Sequence, residues 1–207
     1  MTRHIDYYFS LQSPWAYIGN RLFHEVAARH GVKINYKPMV LTEVFAESGG
    51  LPLKQRHPVR QRYRMVELQR WRERRNKSFH LTPAHWPFDA RLGDGMIIAI
   101  AEAGHDPQDF VAQGFKGVWE DQRDLGDPAT LIAIADSVGL AGKDLVTRAG
   151  SSEIGAVYSR NRDEALAADV FGAPAYVLDG EVFWGQDRLE LLDDALGSGR
   201  APFRPNP

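Results

Sequence analysis

Strand-like patterns in this chain are confined to its two ends, and that placement limits the folds open to it. HIDYYF at His4–Phe9 and VKINYKP at 32–38 flank an amphipathic helical pattern over 14–30. Two strands joined by a helix form a parallel pair with a right-handed crossover. Strand patterns return only in AYVLDGEVFWG, where Asp-Gly at 179–180 is typical of a two-residue hairpin turn.

The segment between these ends, 41–169, carries helical patterns and no convincing strand. Helices are predicted at 58–75, 90–103, 107–119, 128–138, 143–149 and 152–168, and a last amphipathic helix at 187–196. The order β-α-β, helical block, β-β-α predicts an α/β fold. We expect a thioredoxin-like domain, residues 1–40 and 170–207, with an all-helical insertion domain at residues 41–169.

The 207 residues include no cysteine, which excludes several classes of chemistry. Thiol nucleophiles, disulfides, dithiol redox chemistry and thiolate metal sites are ruled out within the chain, so sulfur chemistry requires a ligand that brings the sulfur. The net charge of −2 gives no electrostatic reason to expect nucleic acid or an anionic membrane as partner. The histidines lack paired ligand spacing, so no metal is predicted. Without a long apolar run or a signal sequence, we expect a cytoplasmic protein.

The first candidate for chemistry is Ser13, in the sequence SPWA at the start of the first helix. A helix N-terminus presents free N–H groups and the positive end of the helix dipole, which stabilise an anion. A hydroxyl there can also donate to a thiolate and lower its pKa. On this motif alone an ordinary N-cap is the expected role. The two roles are compatible, because one hydroxyl can cap the helix and later meet a ligand.

Two further motifs lie near the C-terminus. In VFGAPAYV, a trans Ala173-Pro174 bond that starts a strand is expected, whereas a cis bond would present the Ala173 backbone to an extended peptide. In FWGQDRL, Asp187 is expected to be the N-cap of the last helix. Its alternative role is to receive an ammonium group of a ligand, with Gln186 as a neutral hydrogen-bond partner.

Over nearly its full length the chain resembles the 2-hydroxychromene-2-carboxylate isomerase family. That family is close to the kappa-class glutathione transferases and more distant from the DsbA-like disulfide oxidoreductases with helical insertions. The resemblance is carried by five motifs in family order and at family spacing: IDYYFSLQSPWAYIGN, RYRMVELQRW, VWEDQRDLGDP, VFGAPAYV and FWGQDRL. It implies glutathione as cofactor, bound in the cleft between the two domains, a small aromatic substrate and a homodimer.

The resemblance gives roles to the residues of SPWA and VFGAPAYV. It places Ser13, where redox relatives carry a cysteine, against the glutathione thiolate. It also implies a cis Pro174, with the main-chain atoms of Ala173 pairing with the glutathione backbone. The reaction it suggests is addition of the thiolate to a conjugated aromatic electrophile, which isomerises before glutathione is regenerated.

The resemblance also assigns the two ends of glutathione. Gln186 and Asp187 would meet the γ-glutamyl end, and Arg60 would approach the glycyl carboxylate. The chain departs from the family pattern where an asparagine often approaches glutathione, because Gly49 and Gly50 stand at that place. One expected contact is therefore not carried over.

Four aromatic residues are candidates for an apolar pocket over the sulfur: Trp15, Phe45, Trp86 and Trp119. For Phe45, Trp86 and Trp119 the expected role is that of core aromatics, with the pocket as the alternative. Two other functions stay open at this point. One is a conjugating glutathione transferase, which releases the adduct as product, and the other is a thioredoxin-fold binding module with no chemistry.

Overall fold

A computed structural model describes residues 3–205, and its elements follow the predicted order. The strands are β1 His4–Phe9, β2 Lys33–Pro38, β3 Ala175–Leu178 and β4 Glu181–Trp184. The α-helices are α1 Pro14–His30, α2 Leu41–Ser48, α3 Pro58–Arg74, α4 Arg91–Glu102, α5 Gln108–Trp119, α6 Pro128–Ser137, α7 Gly142–Ala149, α8 Ser152–Ala167 and α9 Leu189–Ser198. Short 3₁₀ turns lie at Leu53–Gln55 and Gln186–Arg188.

The four strands form one mixed sheet in the order β2-β1-β3-β4. β1 and β2 are parallel, whereas β1 with β3 and β3 with β4 are antiparallel. Asp179 and Gly180 close the β3–β4 hairpin with φ angles of 52° and 81°. Positive φ at both central residues is what a tight two-residue hairpin turn of type I′ requires. The predicted thioredoxin-like fold with helices between its two halves is confirmed. The exact division into two domains stays a prediction.

Helix α1 is set by the local signals at its two ends. The Ser13 hydroxyl accepts from the Ala16 amide at 3.2 Å, and Pro14 occupies the first helical position. Gly31 ends the helix with a φ of 61°. The N-cap predicted for Ser13 is therefore confirmed.

Helices cover the sheet on both faces. On one face Tyr7 and Phe9 of β1 pack with Phe23 of α1 and Phe115 of α5 in a core that joins the sheet to the helical segment. On the other face Tyr8 lies in a smaller cluster with Val44 of α2. Complete burial of such a side chain contributes about 1.5–3 kcal/mol, so the core fixes the helical segment firmly to the sheet.

Two elements differ from the sequence-based expectation. The short helix α2 was not predicted, and it ends at Gly49, whose φ is 76°. Gly49, at the place of the family asparagine, is therefore a helix-ending residue. The last helix begins at Leu189, not at 187, because Gln186–Arg188 form a 3₁₀ turn. Within residues 3–205, every helix is too short or too polar to span a bilayer.

Candidate functional site

Ser13 lies where the two ends of the chain meet. Its hydroxyl donates to the Ala173 carbonyl at 3.4 Å while it accepts from the Ala16 amide, and the residue is only 4% exposed. The contact joins positions 160 residues apart. It places the N-terminus of α1 beside the segment that precedes β3, as a site shared by the SPWA and VFGAPAYV motifs requires.

The Ala173-Pro174 peptide bond is cis, so the expectation of a trans bond from the sequence alone is wrong. The Pro174 carbonyl accepts from the Gly185 amide at 2.8 Å, which ties this segment to the FWGQDRL motif. Among the described residues, the Ala173 N–H donates to no acceptor. The Ala173 backbone therefore retains a donor for an extended ligand.

A cavity of about 570 Å³ lies between α3 and the loops that flank β3 and β4. It brings together five of the predicted site residues: Trp15, Arg60, Ala173, Gln186 and Asp187. Ser13 adjoins it through the hydrogen bond to Ala173. A volume of this size suits a small-molecule ligand.

The side chain of Gln186 is fixed by an arginine that no motif indicated. Gln186 is 2% exposed, and its Oε1 accepts from Nε of Arg75 at 3.1 Å. Arg75 also donates to Glu190 at 3.0 Å and stacks over the ring of Trp71. Because Arg75 holds Oε1 and the residue lines the cavity, Nε2 is the part of the Gln186 amide that a ligand acceptor can use.

Asp187 does not cap the last helix, and the N-cap expectation for it is wrong. The 3₁₀ turn moves the helix start to Leu189, and the Asp187 carboxylate pairs with Arg188 at 2.5 Å. The side chain is 42% exposed at the cavity rim. Gly185 permits this placement, since its φ is 99° and a Cβ there would lie 2.4 Å from the Asp187 carboxylate. Asp187 thus has no capping role, and a ligand cation at the rim would share its carboxylate with Arg188.

Three arginines on one side give the cavity a positive wall. Arg56, Arg60 and Arg64 all line it, and within residues 3–205 none forms an ion pair with a carboxylate. Burial, together with the charge of Arg56, lowers the pKa of Arg64 to about 10. Burial and the neighbouring Arg60 likewise lower the pKa of Arg56. Positive charges held close together and away from water favour an anionic ligand.

The four predicted pocket aromatics occupy different environments. Trp15 lines the cavity, and Trp86 lies beside it, with its ring under the Arg64 guanidinium at 5.2 Å and its Nε1 donating to the Gln12 carbonyl at 2.9 Å. Phe45 packs under Arg56 at 5.7 Å. Trp119 is fully buried in the core, so the structure does not place it on the open cavity.

Residues 4–197 match the family model described as the DSBA-like thioredoxin domain. The chain belongs to this DsbA-like family. It is 29% identical to a 2-hydroxychromene-2-carboxylate isomerase of Sphingobium xenophagum, over 95% of this chain and 99% of that protein. It is 24% identical to glutathione S-transferase kappa 1 of Caenorhabditis elegans, over 93% of this chain and 90% of that protein.

A solved structure of 2-hydroxychromene-2-carboxylate isomerase superposes on the chain with a TM-score of 0.79. The two are 27% identical, and the match covers 94% of each chain. The resemblance drawn from the sequence motifs is therefore confirmed.

Three cavity arginines of this DsbA-like chain differ in how far the sequence indicated them. Arg60 was predicted from the resemblance, whereas Arg56 and Arg64 were not. The spacing of four residues between Arg60 and Arg64 is a weak sequence signal, because it places the two side chains on one face of α3. Arg75 carries no signal, since its contact with Gln186 spans 111 positions.

The role of Arg75 leads to a prediction about stability. Replacement of Arg75 by glutamine is expected to lower the free energy of unfolding by about 1–3 kcal/mol, because Oε1 of the buried Gln186 loses its charged donor. Denaturant unfolding monitored by circular dichroism measures the change. Arg74→Gln is the matched control, since Arg74 is exposed and its replacement is expected to fall within about 0.5 kcal/mol of the native chain. Equal midpoints for the two variants would contradict the assignment.

Proposed function

We propose that the chain is a glutathione-dependent isomerase acting on 2-hydroxychromene-2-carboxylate or a related intermediate of aromatic degradation. The observation that carries the proposal is the convergence of Ser13, Ala173, Gln186, Asp187 and Arg60 on one cavity. These groups complement a charged tripeptide along its length. The names of the two relatives, an isomerase and a kappa-class glutathione transferase, agree with a glutathione-linked activity.

The cavity fits glutathione group by group. The N–H of Ala173, which has no acceptor within residues 3–205, suits its backbone. Asp187 suits the γ-glutamyl ammonium, and the Gln186 amide suits the γ-glutamyl carboxylate. Arg60 suits the glycyl carboxylate. Since the chain contains no cysteine, glutathione when bound supplies the thiolate nucleophile, and an isomerase returns it unchanged.

Ser13 acts on the sulfur in this proposal. Its hydroxyl can turn from the Ala173 carbonyl toward a thiolate, because the 3.4 Å bond to that carbonyl is long. The N-terminus of α1 adds the Trp15 amide and the positive end of the helix dipole, since Pro14 has no N–H and the Ala16 amide is bonded to Ser13. Together they hold the sulfur in its ionised form and aim it into the cavity.

The second substrate would lie on the side of the cavity formed by Trp15 and Arg64. Arg60 is assigned to the glycyl carboxylate, so the positive charges of Arg56 and Arg64 are left to favour a second anion. An aromatic carboxylate meets both demands, since its ring can pack on an indole and its carboxylate can pair with a guanidinium.

Removal of Arg64 tests this placement. Arg64→Gln is expected to raise the KM for an aromatic carboxylate substrate about 10- to 100-fold, the loss of a partly buried charged hydrogen bond, with little change in glutathione affinity. Steady-state kinetics with each substrate varied in turn measures both effects. Arg62→Gln, an exposed arginine on the same helix, is the matched control. A KM unchanged from that control would place the carboxylate elsewhere.

Product analysis tests the proposed reaction. The purified chain is incubated with 2-hydroxychromene-2-carboxylate and reduced glutathione, and both the substrate and the free thiol are measured. All thiol belongs to glutathione because the chain has none. Isomerisation consumes the substrate at constant free thiol and stops when S-methylglutathione replaces glutathione. A matching fall in free thiol would show a conjugating transferase instead, and no turnover with an intact glutathione site would contradict the isomerase.

A homodimer and a cytoplasmic location complete the proposal. Helix α3 leaves Val59, Tyr63 and Val66 exposed, at a spacing that places them on one face. Val59 and Tyr63 also line the cavity, so a second copy of the chain that contacts this apolar face would cover one side of the cavity.

A further inference from the structure

A fully buried carboxyl group lies outside the cavity and has no role in the proposed reaction. Asp94, in the first turn of α4, is 0% exposed. It accepts three hydrogen bonds: from the Tyr158 hydroxyl of α8 at 2.8 Å, the Ser10 hydroxyl at 3.1 Å and the Leu11 amide at 3.3 Å. Helices α4 and α8 are thereby joined to the loop between β1 and α1.

That loop ends at the serine assigned to the thiolate. The Ser13 amide donates to the Ser10 carbonyl at 3.0 Å, and the Gln12 amide donates to the Ser10 hydroxyl at 3.4 Å. The carboxyl group of Asp94 therefore holds the residue around which the turn leading to Ser13 is built. Trp86 touches the same turn through the Gln12 carbonyl.

The hydrogen-bond pattern suits the ionised form of Asp94. A carboxylate has only acceptors, so it satisfies all three donors at once. A protonated carboxyl group must itself donate, and the Ser10 or Tyr158 hydroxyl accepts from it only by turning its own O–H away from Asp94. Ionisation of Asp94 also has a cost, because burial raises its pKa to about 7 despite the three hydrogen bonds. Asp89, ahead of α4, raises it further by its negative charge.

Among the described residues, the ionisable groups that act on the pKa of Asp94 are Tyr158 and Asp89. Helix α8 contributes Tyr158, whose own pKa is raised by burial and by Asp94. Helix α7 packs on α4 through Leu145 and Ala149, which are apolar. The pKa of Asp94 is therefore set mainly by burial, which raises it, against its three hydrogen-bond donors, which lower it.

We propose that ionised Asp94 is a positioning residue that holds the Ser10–Ser13 turn in the form that presents Ser13 to the thiolate. This inference rests on the proposed function for its catalytic consequence, but the effect on the turn is a property of the chain alone. As pH falls below about 7, Asp94 takes up a proton, one of its donors loses its acceptor, and the turn loosens.

The fluorescence of Trp86 in ligand-free protein tests the effect on the turn, since its indole N–H is bonded to Gln12. The signal is isolated as the difference from a Trp86→Phe variant. In the native chain it is expected to titrate near pH 7, and in Asp94→Asn the transition is expected to disappear. Tyr158→Phe removes a bond that lowers the pKa of Asp94, so the midpoint is expected to move to higher pH. A transition that persists in Asp94→Asn, or a Trp86 signal at pH 8 that is the same in Asp94→Asn as in the native chain, would overturn the proposal.

Glutathione binding separates positioning from general support of the fold. Asp94→Asn is expected to raise the pKa of the bound thiol by about one unit, which lowers the thiolate fraction at neutral pH by up to about tenfold, while S-methylglutathione binds as before. Equal weakening of both ligands would show a structural role only and overturn the proposal. If the native chain binds neither ligand, the glutathione proposal fails, and the Trp86 titration still decides the role of Asp94 in the turn.

Discussion

Replacement of Ser13 by glycine is expected to lower kcat/KM by about 10- to 150-fold and to raise the pKa of the bound thiol. The reason is loss of a hydroxyl that donates to a charged sulfur, a bond worth about 1.5–3 kcal/mol. Glycine is chosen because it is tolerated at an N-cap at a cost of a few tenths of a kcal/mol, whereas alanine costs about 1. The loss of activity is then separated from damage to α1. Steady-state kinetics and a pH titration of the bound thiol measure the two effects.

Ser151 supplies the matched control for this experiment. It caps α8 through the Ile154 amide at 3.4 Å, so Ser151→Gly makes the same change at an N-cap outside the cavity. That variant is expected to keep native kcat/KM, and Ser13→Thr, which retains a hydroxyl, is expected to keep part of the activity. Native turnover in Ser13→Gly would remove Ser13 from the mechanism and leave it as a helix cap.

Replacement of Asp187 by asparagine is expected to lower the affinity for reduced glutathione about 10- to 100-fold. The carboxylate is assigned to the γ-glutamyl ammonium, and charge-assisted hydrogen bonds of this kind contribute about 1.5–3 kcal/mol. Its 42% exposure favours the lower end of that range, and the loss is expected to shrink as salt is added. Isothermal titration calorimetry measures the affinity directly.

A shortened ligand makes the Asp187 test specific. Cysteinylglycine lacks the γ-glutamyl group, so it is expected to bind the native chain and Asp187→Asn equally. Asp144→Asn, on the exposed face of α7, changes the net charge by the same amount and is expected to leave glutathione binding unchanged. If Asp187→Asn lowers the affinity for cysteinylglycine as much as that for glutathione, the carboxylate does not bind the γ-glutamyl end.

Most of the fold could be predicted because its signals are local. Ser13-Pro14 and Gly31 bound α1, and Asp-Gly at 179–180 turns the hairpin, each through the conformation of a few neighbouring residues. Helix α2 was missed because its N-cap, Val40, offers no side-chain hydrogen bond and the helix is only 8 residues long. Without a cap, so short a helix is stabilised by packing and not by its own sequence.

The site could be predicted only as far as motifs reach. Ser13, Ala173, Gln186 and Asp187 lie in short motifs, but the cis form of the bond before Pro174 and the displaced start of α9 were not evident from the sequence alone. The bonds from Arg75 to Gln186 and from Ser10 to Asp94 join positions 111 and 84 residues apart. Such contacts are created by tertiary packing, which leaves no periodic pattern in the sequence.

The aromatic residues show the same limit. Trp15 and Trp119 both follow helical patterns in the sequence, yet the first lines the cavity and the second is fully buried beneath Tyr17 and Phe79. Which face of a helix meets the core and which meets a cavity depends on where neighbouring helices pack. That arrangement is set by the whole fold.

The most direct test of the glutathione site is the ultraviolet absorbance of the thiolate during titration of the purified chain with reduced glutathione at neutral pH. The chain has no cysteine, so every thiolate signal comes from the ligand. S-methylglutathione, which has no ionisable thiol, provides the baseline. We predict a saturable thiolate signal that is reduced in Ser13→Gly and retained in Ser151→Gly. Saturable binding without thiolate formation, or no binding at millimolar glutathione, would contradict the account.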